Sequence, residues 1–456
     1  MARSTRTMST IRALEFFSGI GGLHFGFNAS GVEGSVLESF DMNQQANETY
    51  QLSFGKTPVS RGIDRLTVKD IEKYKANCWL MSPPCQPYTR GGKLLDDQDN
   101  RAKPLLHLLD QLEKMTTPPT YLFLENVKNF ETSRSRERLV TLLHKMGYVF
   151  RECLLAPHSF GVPNDRLRYF LMARLRSSFQ HLSSPPASSS KEAEPFSPDT
   201  EVVYATWPFP AFVEDPKTSV EQHPFHTPTL EKFLDQDESA AKDYLLSRQL
   251  ILERPNFRFD ILRPSSNRSS CFTKAYGSHH VASGGGLLQT SKMDQQEYDF
   301  GNSESIAELD LRFFTPTEVA RLHVFPLEGD RQDDSFQQSD QEPEPSHSTL
   351  TSTRPFNPRQ AQNASGPFLK FPEKLKALQR YKLLGNSLNV WVVAELLRGV
   401  LFAEHPGAPQ PTYRDPGNGA EEAATQESLS NKHAIEQEKS ATANSSERDT
   451  KRAKVE

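Results

Sequence analysis

The sequence predicts an α/β protein: a Rossmann-like, doubly wound sheet with a smaller second domain and disordered insertions. Three observations carry that expectation. The chain opens as strand, glycine turn and helix; short apolar runs then alternate with amphipathic helices; and after about Leu175 the rhythm gives way to Ser/Pro-rich sequence. Strand, glycine turn and helix in that order begin the sheets whose ligands bind outside the carboxyl ends of the strands.

The elements follow in order. Residues 1–10 read as a flexible polar arm. Ala13 to Phe17 reads as a strand, Ser18-Gly19-Ile20-Gly21-Gly22 as the turn, and a helix runs from Leu23. Ser35 to Phe40 is a second strand ending at Asp41, with a helix to about Ser53. Cys78 to Met81, Tyr121 to Leu124 and Tyr169 to Met172 are further buried strands. Helices lie between, at Leu105 to Met115 and Arg136 to Lys145, so the sheet is expected to be mostly parallel with helices on both faces.

The main domain is thus expected over residues 11–176, followed by a linker at 177–200 and a small domain at 201–310. The main domain returns at 311–326 and 368–403. Thr315-Pro316-Thr317-Glu318 marks a helix N-terminus there, and Phe371 to about Phe402 is strongly helical. An acidic low-complexity insertion occupies 327–367 and a disordered tail 404–456.

Composition narrows the class. Of 456 residues 36% are hydrophobic, and Pro (32) outnumbers Gly (24), as in a real core diluted by disordered segments. No apolar run approaches a membrane span, and Met1 to Ile11 lacks a signal-peptide core. Cys78, Cys85, Cys153 and Cys271 contain no CxxC pair, which argues for a reducing compartment and against a zinc site. The net charge of −5 is uneven. Residues 128–176 carry ten Lys/Arg against four Asp/Glu, while 327–367 carry three against seven. A basic block in the folded part fits a nucleic-acid binder; a solvated helix face is the other explanation.

Chemistry-bearing residues gather at expected strand ends. Trp79-Leu80-Met81 runs into Ser82-Pro83-Pro84-Cys85-Gln86-Pro87, where three prolines forbid helix and sheet. Such a turn can hold Cys85 as a nucleophile at the sheet's mouth, or simply bury an inert thiol. The glycine turn suits a nucleotide-like cofactor but lacks the full GxGxxG pattern, which favours one without a pyrophosphate. Asp41 is placed to bind a ribose or to cap a helix. Glu125, closing Leu122-Phe123-Leu124, could donate a proton near neutrality or pair with an arginine beyond Lys128. Arg166 and Arg168 lie two apart entering a strand, so both should point to one face as an anion or base clamp. Leu384-Gly385-Asn386-Ser387 is expected to open the last helix and to cap either that helix or a ligand.

Taken in order, Phe17 to Gly22, Pro83-Pro84-Cys85-Gln86, Glu125-Asn126-Val127, Arg166-Leu167-Arg168 and Gly385-Asn386-Ser387 resemble the motifs of the cytosine C5-methyltransferases. Cys85-Gln86-Pro87-Tyr88-Thr89-Arg90, Cys271-Phe272-Thr273-Lys274 and Gln379 to Val390 resemble the eukaryotic branch that looks like DNA methyltransferases but methylates tRNA. The resemblance covers Ile11 to Phe402 apart from the linker and the insertion. Tyr88 stands where Phe is usual, Asn129 where Gly is frequent and Ala275 where Gly is usual.

The resemblance implies S-adenosylmethionine as cofactor in a methyltransferase sheet with a target-recognition domain. Phe17, Ser18, Gly19, Ile20, Gly21, Gly22, Asp41, Ile63, Asp64, Ser82, Asn386 and Ser387 would form its pocket. It further implies that Cys85 attacks C6 of a flipped-out cytosine, with Glu125 at N3 and with Arg168 and Arg166 holding the base. Cys271, Thr273 and Lys274 would touch the substrate. The implied partner is tRNA, at cytosine 38 of the anticodon loop of tRNA-Asp; DNA on the same scaffold and a non-catalytic binder are the alternatives. A monomer, cytoplasmic and/or nuclear, with no membrane association, completes the expectation. Lys451-Arg452-Ala453-Lys454 is its minimal nuclear signal.

Overall fold

The computed structural model describes residues 10–89, 95–176, 227–237, 241–278, 284–330 and 367–403. The expected arm up to residue 9, the linker at 177–200, the start of the small domain, residues 331–366 of the insertion and the tail lie outside the described residues.

Six strands form the main sheet: β1 (Ile11–Phe16), β2 (Gly34–Phe40), β3 (Cys78–Met81), β4 (Tyr121–Val127), β5 (Tyr148–Leu155) and β6 (Arg168–Leu175). Their order is β2-β1-β3-β4-β6-β5. β1 pairs in parallel with β2 and β3, and β3 with β4. β6 runs antiparallel to both β4 and β5. The sheet is therefore mostly parallel, as expected; β6 is the reversed strand, and its direction follows from its connection. Between Leu155 and Arg168 the chain has only a short turn of 3₁₀ helix (Pro157–Phe160) and no crossover helix, so the strand must fold straight back.

Side chains alternate across this sheet, and each face has its own cover. Leu14, Phe16, Trp79, Met81, Leu122 and Leu124 face α4 (Lys103–Lys114) and α5 (Arg134–Lys145). Leu105, Leu108, Leu109 and Leu112 recur at helical spacing and are almost wholly buried there. Phe16 anchors this layer, stacked on Phe40 at 5.1 Å and edge-on to Trp79 at 5.0 Å. The opposite face takes α1 (Gly22–Ala29) and the returning C-terminal segment, with Tyr121 against Phe402 at 4.9 Å. The helix α2 (Gln44–Phe54) follows β2 and starts at Asn43, whose side chain accepts the Ala46 amide.

A second, smaller apolar cluster gathers Ile251, Phe259, Leu287, Ile306, Leu309 and Leu311 around the two-stranded parallel pair β7 (Ile261–Leu262) and β8 (Leu287–Leu288). The helix N-terminus read at Thr315 is present: Thr315 Oγ1 accepts the Glu318 amide at 3.1 Å and Glu318 accepts the Thr315 amide at 2.8 Å.

The last helical stretch is not continuous. One helix covers Ala377–Gly385 and the next Val390–Leu396, ending in a π-turn at Leu397–Leu401. Asn386 terminates the first, and Asn389 caps the second by accepting the Val392 amide at 3.1 Å. Gly385-Asn386-Ser387 therefore closes a helix rather than opening one. Next to the break, a Cβ at Gly385 would lie 2.2 Å from the backbone carbon of Thr273. Only glycine lets these two chains approach so closely.

The basic block also reads differently in three dimensions. Arg134 pairs with Asp97, Arg136 with Glu152, Arg138 with Asp110, Lys145 with Glu113 and Arg168 with Glu125. Arg166 and Arg174 donate to backbone carbonyls. Much of the local excess of positive charge is thus met by acidic side chains, with Arg134, Arg138 and Lys145 making their pairs at the surface, and the count of basic residues alone does not argue for a nucleic-acid surface.

Candidate active site

The carboxyl ends of β1 to β4 open on a cavity of about 330 Å³, within the range of small-ligand pockets. Every residue expected in the cofactor pocket lines it except Gly21, and so do Cys85, Glu125, Arg166 and Arg168. Gly21 turns away toward α2, its Cβ position 2.4 Å from the Phe54 ring.

The glycine turn is built from three left-handed residues, Phe17 (φ 59°), Gly19 (φ 51°) and Gly21 (φ 88°). Phe17 is the strained member, since a residue with a Cβ adopts that region at a cost of about 1–2 kcal/mol. Asp41 holds the turn from the side: its Oδ2 accepts the Gly19 amide at 2.8 Å, and Oδ1 accepts the Asn43 amide at 2.7 Å. The helix-cap reading of Asp41 therefore fails, because Asn43 is the cap. Burial raises the Asp41 carboxyl above its usual range, against the amides that lower it. The Ser18 hydroxyl on the same wall is buried without a partner.

The proline turn is fixed from both sides. Ser82 donates its amide to Phe16 O at 3.3 Å and its hydroxyl to Phe17 O at 3.1 Å, tying it to the glycine turn. Asn126 donates to Pro83 O at 3.2 Å, and Cys85 O accepts the Tyr88 amide at 3.0 Å. Tyr88 is buried edge-on to Phe130 at 4.9 Å, so the ring at this position packs as a phenylalanine would. Asn129 sits at φ 87°, which explains why glycine is frequent there and why asparagine replaces it at little cost.

Cys85 is half-buried and free. Burial raises its thiol pKa and Glu125 adds to that, while Arg168, Arg166 and Lys274 oppose it. Glu125 is itself raised by burial, against Arg168 and Arg166. Its Oε1 lies 3.4 Å from Arg168 Nε. Glu125 is thus a buried carboxyl with a raised pKa and also the partner of an arginine.

The reversal of β6 is what brings the arginines here. Its first residue, Arg168, is in register with Val127 at the carboxyl end of β4, whereas a parallel β6 would have placed it at the far edge. The two arginines do different things. Arg166 is 3% exposed and donates to Phe272 O at 2.9 Å, Gly385 O at 3.0 Å and Ser387 O, clasping the small cluster's loop to the returning helix. Arg168 faces Glu125 and the cavity.

Cys271 does not line the cavity. It lies behind the arginines, with Sγ 3.5 Å from Arg166 Nη1 and 3.9 Å from Arg168 Nη2. Burial raises its thiol, but the two guanidiniums outweigh that and bring it below the usual value. Thr273 packs its backbone against Gly385, while Lys274 is exposed and within electrostatic reach of Cys85. Sequence reasoning missed Met42, Asn43, Pro104, Leu383 and Leu388, which complete the cavity wall. Met42 carried a signal only in retrospect, as an apolar residue 69% exposed directly after Asp41. Among the described residues no cluster of His, Cys, Asp and Glu could hold a metal ion, and no helix is long and apolar enough to cross a membrane.

Residues 11–341 match the C-5 cytosine-specific DNA methylase family. The chain belongs to that family. It is 35% identical over 407 residues to a DNA (cytosine-5)-methyltransferase of Dictyostelium discoideum, covering 86% of this chain and 94% of that one. It is 32% identical over 430 residues to the tRNA (cytosine(38)-C(5))-methyltransferase of Homo sapiens, covering 86% and 99%. The crystal structure of the S. pombe Dnmt2 methyltransferase superposes with a TM-score of 0.58 at 27% identity, over 87% of this chain and 99% of that one. Methyltransferases of this family use S-adenosylmethionine as methyl donor, so the chain is an S-adenosylmethionine-dependent cytosine C5 methyltransferase.

Proposed function

We propose that this methyltransferase acts on cytosine 38 in the anticodon loop of tRNA-Asp through a covalent bond between Cys85 and C6. One observation carries the chemistry: Cys85, Glu125 and Arg168 share one cavity with the glycine turn and Asp41. The RNA assignment follows curated relatives named as tRNA (cytosine(38)-C(5))-methyltransferases over most of this chain.

The cavity suits the donor in kind. Asp41 retains lone pairs for ribose hydroxyls after accepting two amides. The orphaned Ser18 hydroxyl offers a donor to a carboxylate, and Ile63 with Met42 offers apolar cover for an adenine. S-adenosylmethionine supplies an electrophilic methyl group when bound.

The protein's own residues then solve one problem, the poor nucleophilicity of cytosine C5. The Cys85 thiolate forms a bond to C6, and the C5=C6 electron pair is displaced through C4 toward N3. Glu125, whose carboxyl burial raises against the two arginines, delivers a proton there from its protonated form, so C5 becomes the enamine carbon that takes the methyl group. Arg168 faces the ionising thiol and carboxyl and stabilises the charge that develops. Loss of the C5 proton to solvent water re-forms the C5=C6 double bond and expels the Cys85 thiolate from C6, and N3 returns its proton to the Glu125 carboxylate, restoring the enzyme. Arg166, bound to three backbone carbonyls, is a positioning residue in this scheme. The cytosine must leave its stack to enter, as an unstacked anticodon-loop base readily does.

Purified protein with labelled donor, offered tRNA and duplex DNA in parallel, tests the reading. Label is expected in tRNA, confined to cytosine 38 and abolished by Cys85→Ala. Label in DNA alone would overturn the RNA assignment, and appreciable turnover by Cys85→Ala would overturn the covalent scheme.

A further inference from the structure

Glu15 is the single acid within β1, and it is wholly buried beneath the glycine turn. Its Oε1 accepts the His24 amide at 3.1 Å, in the first turn of α1, and its Oε2 lies 3.0 Å from the Tyr50 hydroxyl and 3.4 Å from Ser39 Oγ. The Tyr50 hydroxyl also meets Ser39 Oγ at 2.5 Å and His24 Nδ1 at 2.6 Å. Glu15 ends the strand side of the turn and His24 lies on its helix side. The network therefore ties together the two ends of the strained Phe17–Gly21 segment.

The surroundings of Glu15 can be enumerated. From β2 come Ser39 and, beyond it, Asp41; from α2 comes Tyr50; from α1 comes His24. Glu38 beside Ser39 is paired with Lys56 at 2.9 Å, and Lys56 is felt at His24. Among the described residues no ion pair satisfies Glu15, which meets two hydroxyls and an amide and feels the charge of Asp41.

Counting protons decides its state. Besides the His24 amide, four contacts join Glu15, Ser39, Tyr50 and His24 Nδ1. Neutral His24 in its Nδ1–H tautomer, Tyr50 and Ser39 bring three protons. The fourth contact is filled only when Glu15 carries one: His24 then donates to Tyr50, Tyr50 to Ser39, Ser39 to Glu15 and Glu15 to Tyr50. Ionising Glu15 turns both the Tyr50 and the Ser39 hydroxyl onto its carboxylate and leaves their own 2.5 Å contact without a proton.

We propose that Glu15 is a positioning residue for cofactor binding, whose protonated carboxyl closes this network and clamps the glycine turn, so that its ionisation loosens the turn and weakens S-adenosylmethionine binding. The proposal rests on the glycine turn being part of the cofactor site. Burial agrees with it, pushing the Glu15 carboxyl up to about 8 against the bonds from Tyr50, His24 and Ser39 that lower it. Burial and Lys56 hold His24 neutral, at about 3. The transition therefore falls in an accessible range, and the affinity should follow the fraction of protein with Glu15 protonated.

The test is calorimetric titration of the full chain with S-adenosylhomocysteine from pH 6.5 to 9.5. The expected result is a loss of affinity of at least fivefold between pH 7 and 9. Glu15→Gln keeps a neutral group that accepts from His24 and donates to Tyr50, so it should bind within threefold of the unaltered chain at pH 6.5 and show less than twofold change to pH 9.5. Tyr50→Phe removes the hub and should bind weakly at every pH with no slope. Glu15→Gln retaining the full slope, or an unaltered chain with none, would overturn the proposal. No binding by the unaltered chain at any pH would overturn the cofactor assignment of the turn and this proposal with it.

Discussion

Replacing Arg166 and Arg168 in turn by lysine separates a group that holds the site together from one that works in it. At Arg166 the planar guanidinium serves three carbonyls on two separate segments, Phe272 O, Gly385 O and Ser387 O, and the residue is almost wholly buried. A lysine keeps the charge but not the fork, so two of the three bonds are lost. A hydrogen bond to a charged group contributes about 1.5–3 kcal/mol, and partial relaxation brings the expected loss to about 3 kcal/mol. With an m-value near 3 kcal/mol/M that lowers the urea midpoint by about 1 M. Arg168→Lys keeps a cation beside Glu125 and should change stability by less than about 1 kcal/mol. Its cost should appear in turnover, where losing an aligned donor typically costs about 100-fold in kcat. Urea unfolding followed by tryptophan fluorescence, with kcat measured below the transition, reads both effects. An unchanged midpoint for Arg166→Lys, or equal destabilisation of both variants, would refute the division of labour.

Three further outcomes follow. Gly385→Ala places a methyl 2.2 Å from a backbone carbon that cannot move aside, so the thermal midpoint should fall in line with a loss of about 1–3 kcal/mol. Iodoacetamide at pH 7 should label Cys271, whose thiol the arginines lower, ahead of Cys85, whose thiol burial raises, as mapped by peptide mass analysis. Glu15 binds a proton in the folded state up to about pH 8, whereas the unfolded chain releases it near the ordinary 4.5. Its contribution to stability is therefore greatest at low pH and is lost as pH rises from about 4.5 to about 8. Urea midpoints of Glu15→Gln and the unaltered chain should diverge across that window, with the variant the more stable at pH 9.

Much of the sheet was legible because its strands are short and buried on both faces. Ile11–Phe16, Cys78–Met81 and Tyr121–Val127 read as apolar runs stopped by glycine, proline or a polar strand end. β5 was missed for the opposite reason. It lies at the edge of the sheet and carries Arg151 and Glu152, the latter paired to Arg136 of α5, so its sequence lacks an unbroken apolar core. The direction of β6 depends on a non-event, the absence of a helix between Leu155 and Arg168, which residue patterns signal poorly. The site residues were legible because turn chemistry is local: prolines around Cys85 and glycines after Phe17 declare their purpose in sequence. What no local pattern reveals is which partner a charge finds. The basic block looked available for phosphates until Asp97, Asp110 and Glu113 met it from an earlier segment and Glu152 from the next strand of the block itself.

The proposed roles of Cys85 and Glu125 set a condition that the pH profile can expose. The covalent step needs Cys85 without its proton and Glu125 with one, although burial raises both groups. The reactive form is thus one of the two singly protonated states of the pair. Its population rises as pH climbs through the pair's lower apparent pKa and falls above the upper one, giving a bell whose two limbs belong to the pair. Glu125→Gln removes one partner of the pair. The glutamine amide can donate a hydrogen bond to N3 but cannot transfer a proton, so kcat should fall by about 10²–10⁴. The shape should change as well: only the thiol titrates, and activity should climb with pH through the range where the unaltered enzyme declines. Loss of the Glu125 charge also removes one influence that raised Cys85, so the climb should begin earlier than the original alkaline limb. The measurement is single-turnover methyl transfer at saturating donor, which suppresses the separate titration of Glu15. A bell-shaped profile surviving in Glu125→Gln would mean that the proton comes from another group, and the role given to Glu125 would fall.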